Sequence, residues 1–414
     1  MTASGAPIAA TDLFEAVMHH GARADPYPLY AQMREHPVLP GPNGLVAITR
    51  HRDIHALLRD GRILSDPRKS AGGSAIWSEN PDDPEIGKPP FIFLDPPDHT
   101  RLRALVVRQF QPRMVARLRP RIVELVDGMI DEAAEAGALE LVEDLALPLP
   151  VAVICELLGV PHEDVPKFKD WSAAIARALD PGPTMTEDER MQGMVGVMEM
   201  LTFMNELVER RRDDPGEDLL SALTLMTTDG GDRLNEHELI TSLVLLLVAG
   251  HETTVNLISN AMLALLRHPD VLARVRAEPA LITPVIEETL RFDPPVHIRN
   301  RTCTVPIEVA GETIPAGANI ALMLASANRD PEQFAEPDRF DIDRAKSAHF
   351  GFGGGIHFCL GASLARMEAE IALTTLLRRV EEPRLLADPP SYRPNAALRG
   401  PDRMDIGLSS VRSA

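Results

Sequence analysis

The chain of 414 residues is 44% hydrophobic and 25% charged, with a formal net charge of −19 at pH 7, the make-up of an ordinary globular protein with room for a large core. That acid excess excludes a general nucleic-acid binder, which needs a basic footprint, and argues against attachment to an anionic membrane surface. Three cysteines, Cys155, Cys303 and Cys359, none in a C-x-x-C pair, suggest neither a disulfide framework nor a zinc site.

In chain order, residues 1–20 have neither a basic start nor an apolar core. They are expected to be a flexible lead without a secretory signal, on a cytoplasmic protein. "GLVAITR" (44–50) reads as a strand. Residues 62–98 are loop-rich, with Gly72, Gly73 and several prolines between apolar patches at Ile76-Trp77 and Phe91-Ile92-Phe93. Helical spacing runs over 114–137, interrupted by Pro120, and over 149–161, a buried helix ending at Gly159 and Pro161.

Residues 234–269 form one long helical pattern, opened by a capping box at Asn235 and Glu238 and stopped by Pro269. Such a helix is about 50 Å long. Its middle is apolar almost all round, so it runs through the centre of the protein. The strongest apolar run in it, residues 243–250, is too short for a bilayer, which needs about 20 residues. Residues 307–326 read as a hairpin followed by another strand. The architecture is therefore mainly α with a small β-rich region. No Gly/Ser linker divides it, so one domain over 1–414 is expected.

The segment "FGFGGGIHFCLG" (350–361) stands apart. It fits neither phosphate-loop pattern, and a lone cysteine is most often a small buried hydrophobe. Its neighbours favour something else. Glycines 353–355 allow the backbone to approach a flat object closely. Cys359 precedes an amphipathic helix, whose N-terminus favours a thiolate. A thiolate held by amides and backed by Phe352 is a strong donor for a haem iron, and the absence of C-x-x-C-H removes covalently attached c-type haem.

Residues 352–361 resemble, position for position, the F-G-x-G-x-H-x-C-x-G signature of the cytochrome P-450 family, the haem-thiolate monooxygenases, and the likeness spans about residues 25 to 410. It implies the cytochrome P-450 fold, with haem b between the long central helix and the cysteine loop. Cys359 would be the axial thiolate, Phe352, Gly353 and Gly361 would pack at the haem, and His357 would meet a propionate. "HTRLR" places His99 and Arg103 one helical turn apart, the family's propionate arrangement, and Arg301 resembles the third partner, with Arg299 the competing choice.

"EETLR" resembles the E-x-x-R pair, Glu288 and Arg291, tied in the family to an arginine that here would be Arg339 in "PDRF", where the family usually has Glu in place of Asp338. "AGHETT" (249–254) looks like the family's acid–alcohol pair. A charge within an apolar helix is costly unless used or paired. Gly250 opens space, and Thr253 can bond back to the Ala249 carbonyl and loosen the ladder, which leaves a notch there. The resemblance then implies that Thr253 supports O2 activation and that Glu252 relays protons.

Residues 99–121 hold seven arginines and no acid. In the family this segment borders the face where an acidic ferredoxin docks, and a basic patch would steer it. No flavin motif is visible, so electrons come from a ferredoxin or flavodoxin with its reductase. By family position the pocket draws on Ile76, Trp77, Phe91, Leu245, Val248, Val296 and His297, with Met185, Met191, Met194, Met198 and Met200 a deformable roof or plain core. The expected substrate is a lipophilic small molecule, hydroxylated or epoxidised. Competing readings are a peroxygenase, against which Glu252-Thr253 speaks, and a non-catalytic haem-thiolate sensor or carrier.

Overall fold

The computed structural model describes residues 8–73, 88–136, 138–177, 186–225, 231–345, 348–407 and 409–413. The helices that place the site are α1 (Ala10–Met18), α2 (Asp98–Val107), α3 (Arg119–Ala136), α4 (Pro148–Leu158), α5 (Val165–Arg177), α6 (Glu187–Asp213), α7 (Glu236–Arg267), α8 (Ile282–Phe292) and α9 (Ala362–Arg379). Helix α7 starts where the sequence says. The Asn235 side chain accepts from the Glu238 amide at 2.8 Å, and the Glu238 carboxylate accepts from the Asn235 amide at 3.0 Å, satisfying two orphan donors at once. It ends at Arg267, just before Pro269.

By length and composition α7 could cross a membrane, but 67% of its most apolar window is buried inside the protein. It is the core helix, packed by α4, α9, α6 and α8. Pro120 does not interrupt a helix but helps to start one. It is the second residue of α3, in the first turn, where a missing N–H costs nothing.

A five-stranded sheet lies to one side. Its strands are β1 (Val38–Pro40), β2 (Val46–Ile48), β3 (Ile63–Leu64), β4 (Ile298–Cys303) and β5 (Asn319–Met323), in the order β1-β2-β5-β4-β3. Only β2 and β5 run parallel, with Ala47 opposite Ala321. Strand β4 pairs with β5 from Ile298↔Met323 to Thr302↔Asn319, and with β3 at Ile63↔Cys303. The hairpin expected after residue 307 pairs Ile307–Val309 with Glu312–Ile314, ahead of β5.

The N-terminal region departs from the expected flexible lead. Residues 10–18 are helical, with Leu13, Phe14, Val17 and Met18 buried. Their spacing gives one apolar face, which packs with Tyr30, Leu39, Ile298 and Met323.

Candidate active site

Near the middle of α7 the burial pattern breaks. Ala249 is exposed and Leu245 and Thr253 are partly so, although Leu246, Leu247, Val248, His251, Glu252 and Thr254 are buried. Residues four apart share a helix face, so this stripe faces open space rather than packed side chains. The Thr253 hydroxyl donates to the Ala249 carbonyl at 3.0 Å, and the Thr254 hydroxyl to that of Gly250 at 3.1 Å. Gly250 serves a different purpose from the one expected. A Cβ there would meet the Ile154 side chain at 3.2 Å, so the glycine lets α4 approach α7 rather than opening the cavity.

Glu252 is buried, with Arg393 Nη1 at 2.8 Å and His251 Nε2 at 3.6 Å from its carboxylate. Burial alone would raise its pKa, but His251 and Arg393 outweigh it and hold the group below the usual glutamate range. His251 is fixed by the Leu247 carbonyl at 2.7 Å and the Ser172 hydroxyl at 2.8 Å. Arg393 also reaches towards exposed Asp402, at 3.8 Å. Neither Arg393 nor Ser172 is visible from the sequence, because each comes from a distant segment.

The cysteine loop leads into α9, which packs on α7. Its turns are closed by the Gly353 amide on the Phe350 carbonyl at 2.8 Å and the Cys359 amide on the Phe352 carbonyl at 3.0 Å. Gly353 and Gly355 have φ of 70° and 65°, and a Cβ on Gly355 would lie 2.0 Å from the Leu58 carbonyl oxygen. No other residue fits there. Gly361 caps α9, and the Arg366 guanidinium covers the Phe352 ring at 4.4 Å. Burial pushes the Cys359 thiol above the ordinary cysteine range, while the Gly361 amide, Arg103 and Arg366 pull the other way. Binding a metal displaces the thiol proton.

Beside the loop lies a cluster of donors with hardly an acid among them. The His99 ring is buried with both nitrogens unpartnered among the described residues, and its centroid is 4.1 Å from that of His357. His357 Nε2 shares a hydrogen with the Ser65 hydroxyl at 2.9 Å. Arg103 donates to the Phe358 carbonyl at 2.6 Å, and Arg301 to that of Asn300 at 2.8 Å. Burial first, then mutual repulsion, pushes His99 down to about 4, His357 to about 2 and Arg301 to about 9. Asp95 is the one carboxylate felt by Arg301. The orphaned His99 ring, in a cluster of donors that meets almost no acid, fits a group carrying carboxylates, and a haem carries two as its propionates.

The E-x-x-R pair is buried and bidentate, with Arg291 Nε and Nη2 at 2.9 Å and 2.7 Å from the Glu288 carboxylate. The expected third arginine is wrong. The Arg339 side chain is exposed and pairs with Glu336 at 3.3 Å. Only its backbone carbonyl joins the network, accepting from Arg291 at 3.0 Å. Arg344 approaches Glu288 instead, at 3.4 Å, because the turn after Pro337 carries the chain back over α8 and the Asp341 amide onto Glu288 at 2.9 Å.

Of the expected pocket residues, Phe91 is buried 6.5 Å from the His99 ring, Leu245 is on the cavity stripe, and Val248 is buried in the core. Val296 bridges to Leu398. His297 faces away. Its Nδ1 lies 2.9 Å from the Tyr30 hydroxyl and its Nε2 3.6 Å from Asp293, in a buried group with Tyr27 and Arg399. Successive residues of an extended chain point to opposite sides, so Val296 and His297 cannot both line one pocket. Ile76, Trp77 and Met185 lie outside the described residues. Met191, Met194 and Met198 point outwards from α6, and Met200 is in the core.

The family model for cytochrome P450 matches residues 38–406. Over 399 residues the chain is 42% identical to cytochrome P450 monooxygenase PikC of Streptomyces venezuelae, covering 94% of this chain and 93% of that one. It is 41% identical over 391 residues to vitamin D(3) 25-hydroxylase of Pseudonocardia autotrophica, covering 93% and 94%. The ligand-free crystal structure of CYP164A2 from Mycobacterium smegmatis is similar at a TM-score of 0.88 and 43% identity, covering 96% of this chain and 100% of that one.

Proposed function

Because this chain belongs to the cytochrome P450 family, oxidoreductases that hold haem b by a cysteine thiolate, we propose that as one domain it inserts an oxygen atom from O2 into a lipophilic small molecule, using electrons from a separate protein. The observation that carries the reading is the cavity stripe Leu245–Ala249–Thr253 on α7, with a hydroxyl at its end and a buried carboxylate next to it in sequence.

Haem bound through Cys359 supplies the iron at which dioxygen is reduced. The chain supplies the rest. His99, Arg103, Arg301 and His357 would hold the propionates. Thr253, turning from the Ala249 carbonyl, offers its hydroxyl hydrogen to a water in the cavity. Glu252, kept ionised by Arg393 and His251, takes a proton from the side of Asp402 and passes it to that water. Leu245, with Phe91 and Val296, gives the pocket an apolar wall, and one relative is named as a vitamin D(3) hydroxylase.

Electron delivery is read from the α2–α3 segment. Arg101, Arg119 and Arg121 are taken up by Glu238, Glu370 and Glu156. Arg108, Arg113 and Arg117 are exposed and, among the described residues, have no ion-pair partner. With exposed Ile356 and Phe358 on the cysteine loop they suit an acidic ferredoxin or flavodoxin.

Thr253→Ala tests the reading, in the haem-loaded protein with an added reductase system and any ligand that shifts the Soret band. Product formation should fall roughly 10²-fold, the usual scale for losing a proton donor, while oxygen is still consumed and appears as peroxide. Unchanged turnover with added peroxide would favour a peroxygenase. No turnover in either protein would favour a carrier.

A further inference from the structure

Four donors, His99, Arg103, Arg301 and His357, already provide two for each propionate. Arg299 is a fifth. It precedes Arg301 by two residues in β4, about 7 Å along extended chain, and therefore shares its face of the strand. Its guanidinium lies over the Phe93 ring at 5.3 Å. No hydrogen bond or carboxylate meets it among the described residues, whereas Arg301 has the Asn300 carbonyl and the field of Asp95.

A ring face offsets only part of what a guanidinium loses on leaving water. Burial alone pushes Arg299 down to about 10. The group that matches a guanidinium fork is a carboxylate held by two parallel hydrogen bonds. The place matters as much as the charge. Arg299 lies against the turn Phe91–Phe93, whose Phe91 ring packs near His99. It stands where that turn meets the propionate donors, on the strand face it shares with Arg301.

We propose that Arg299 is a specificity residue that receives the carboxylate of the substrate, so that the substrate class is an amphiphilic acid, an apolar body ending in a carboxylate. This rests on the haem-thiolate reading above. The other source of a carboxylate at this spot is a haem propionate, and the test separates the two.

The probes are the straight-chain acids from decanoate to hexadecanoate and their methyl esters, titrated against the haem-loaded protein by the Soret shift. The wild type should bind at least one acid more tightly than its ester. Arg299→Gln should weaken that acid about 10- to 100-fold, the scale of a lost hydrogen bond to a charged group, and leave the ester within about 2-fold, with haem content unchanged. Arg299→Lys, which keeps the charge, should retain the preference. The proposal is overturned if no acid is preferred to its ester in the wild type. It is equally overturned if the Gln variant weakens acid and ester alike, or loses haem without changing the preference, which would assign Arg299 to a propionate. The carbon-monoxide spectrum of the reduced wild type, recorded on the same samples, separates these results from a failure of the haem-thiolate reading itself.

Discussion

Gly355 shows how little freedom the ligand loop has at the scale of one residue. A methyl group there would meet the Leu58 carbonyl at 2.0 Å from a left-handed backbone, and the strain alone is worth about 1–3 kcal/mol. Gly355→Ala should therefore lower haem content and weaken the thiolate signature of the carbon-monoxide complex. Gly128→Ala, at an exposed position of α3 where a Cβ meets nothing within 4 Å, should not. A second comparison separates two arginines that look alike in sequence. Arg291→Ala strands Glu288 in the interior and should cost about 3–5 kcal/mol in chemical unfolding. Arg339→Ala, at an exposed side chain, should stay within about 0.5 kcal/mol.

Elements explain which parts of the sequence could be read. The capping box of α7, the Thr253 back-bond and the His99–Arg103 turn were legible because each is settled within four residues of the chain. Strand β4 was not. After Pro294-Pro295 nothing local sets the phase of the alternation, and a slip of one residue exchanges the two faces. His297 could thereby be read as facing either the cavity or solvent, and it does neither, being buried among Tyr27, Tyr30 and Asp293. The N-terminal helix was missed for a related reason: nine residues with a short apolar face are marginal alone, and only tertiary packing makes them a helix. Phe14 is 1% exposed, so Phe14→Ala should cost about 3–5 kcal/mol, measured as a lower midpoint in urea. A truly flexible lead would show no change.

Across the whole molecule the missing pieces are the long-range ones. Arg393 reaches Glu252 across 141 positions, and Ser65 reaches His357 across 292; no pattern of spacing announces such pairs. Glu287 ties α8 to α9 in the same way, through Arg366 at 2.5 Å and His349 at 3.3 Å. Burial raises its pKa, but His349 and Arg366 prevail and bring it to about 2. A depressed carboxylate stabilises the fold above its unfolded pKa, near 4.3, and this contribution is lost as pH falls from there through about 2. Glu287→Gln should therefore flatten the acid side of the stability curve in unfolding titrations. At the surface, Arg108, Arg113 and Arg117, without an ion-pair partner among the described residues, stand on a molecule of net charge −19. Reduction by an acidic ferredoxin should slow steeply with added salt. Replacing all three by Gln should remove most of that dependence in stopped-flow traces. A flat salt profile in the wild type would place the electron entry elsewhere.

Arg291 holds the turn above α8 by the main-chain carbonyls of Asn328, Pro337 and Arg339. A carbonyl is the same on every amino acid. At positions 337 and 339, then, inheritance can rewrite the letters without any answering change at Glu288 or Arg291, provided the path of the chain is kept. Two descendants of this protein could differ at both places and still share every bond made there. What the turn has to keep is its shape, and an eye that compares only letters would take it for neutral ground.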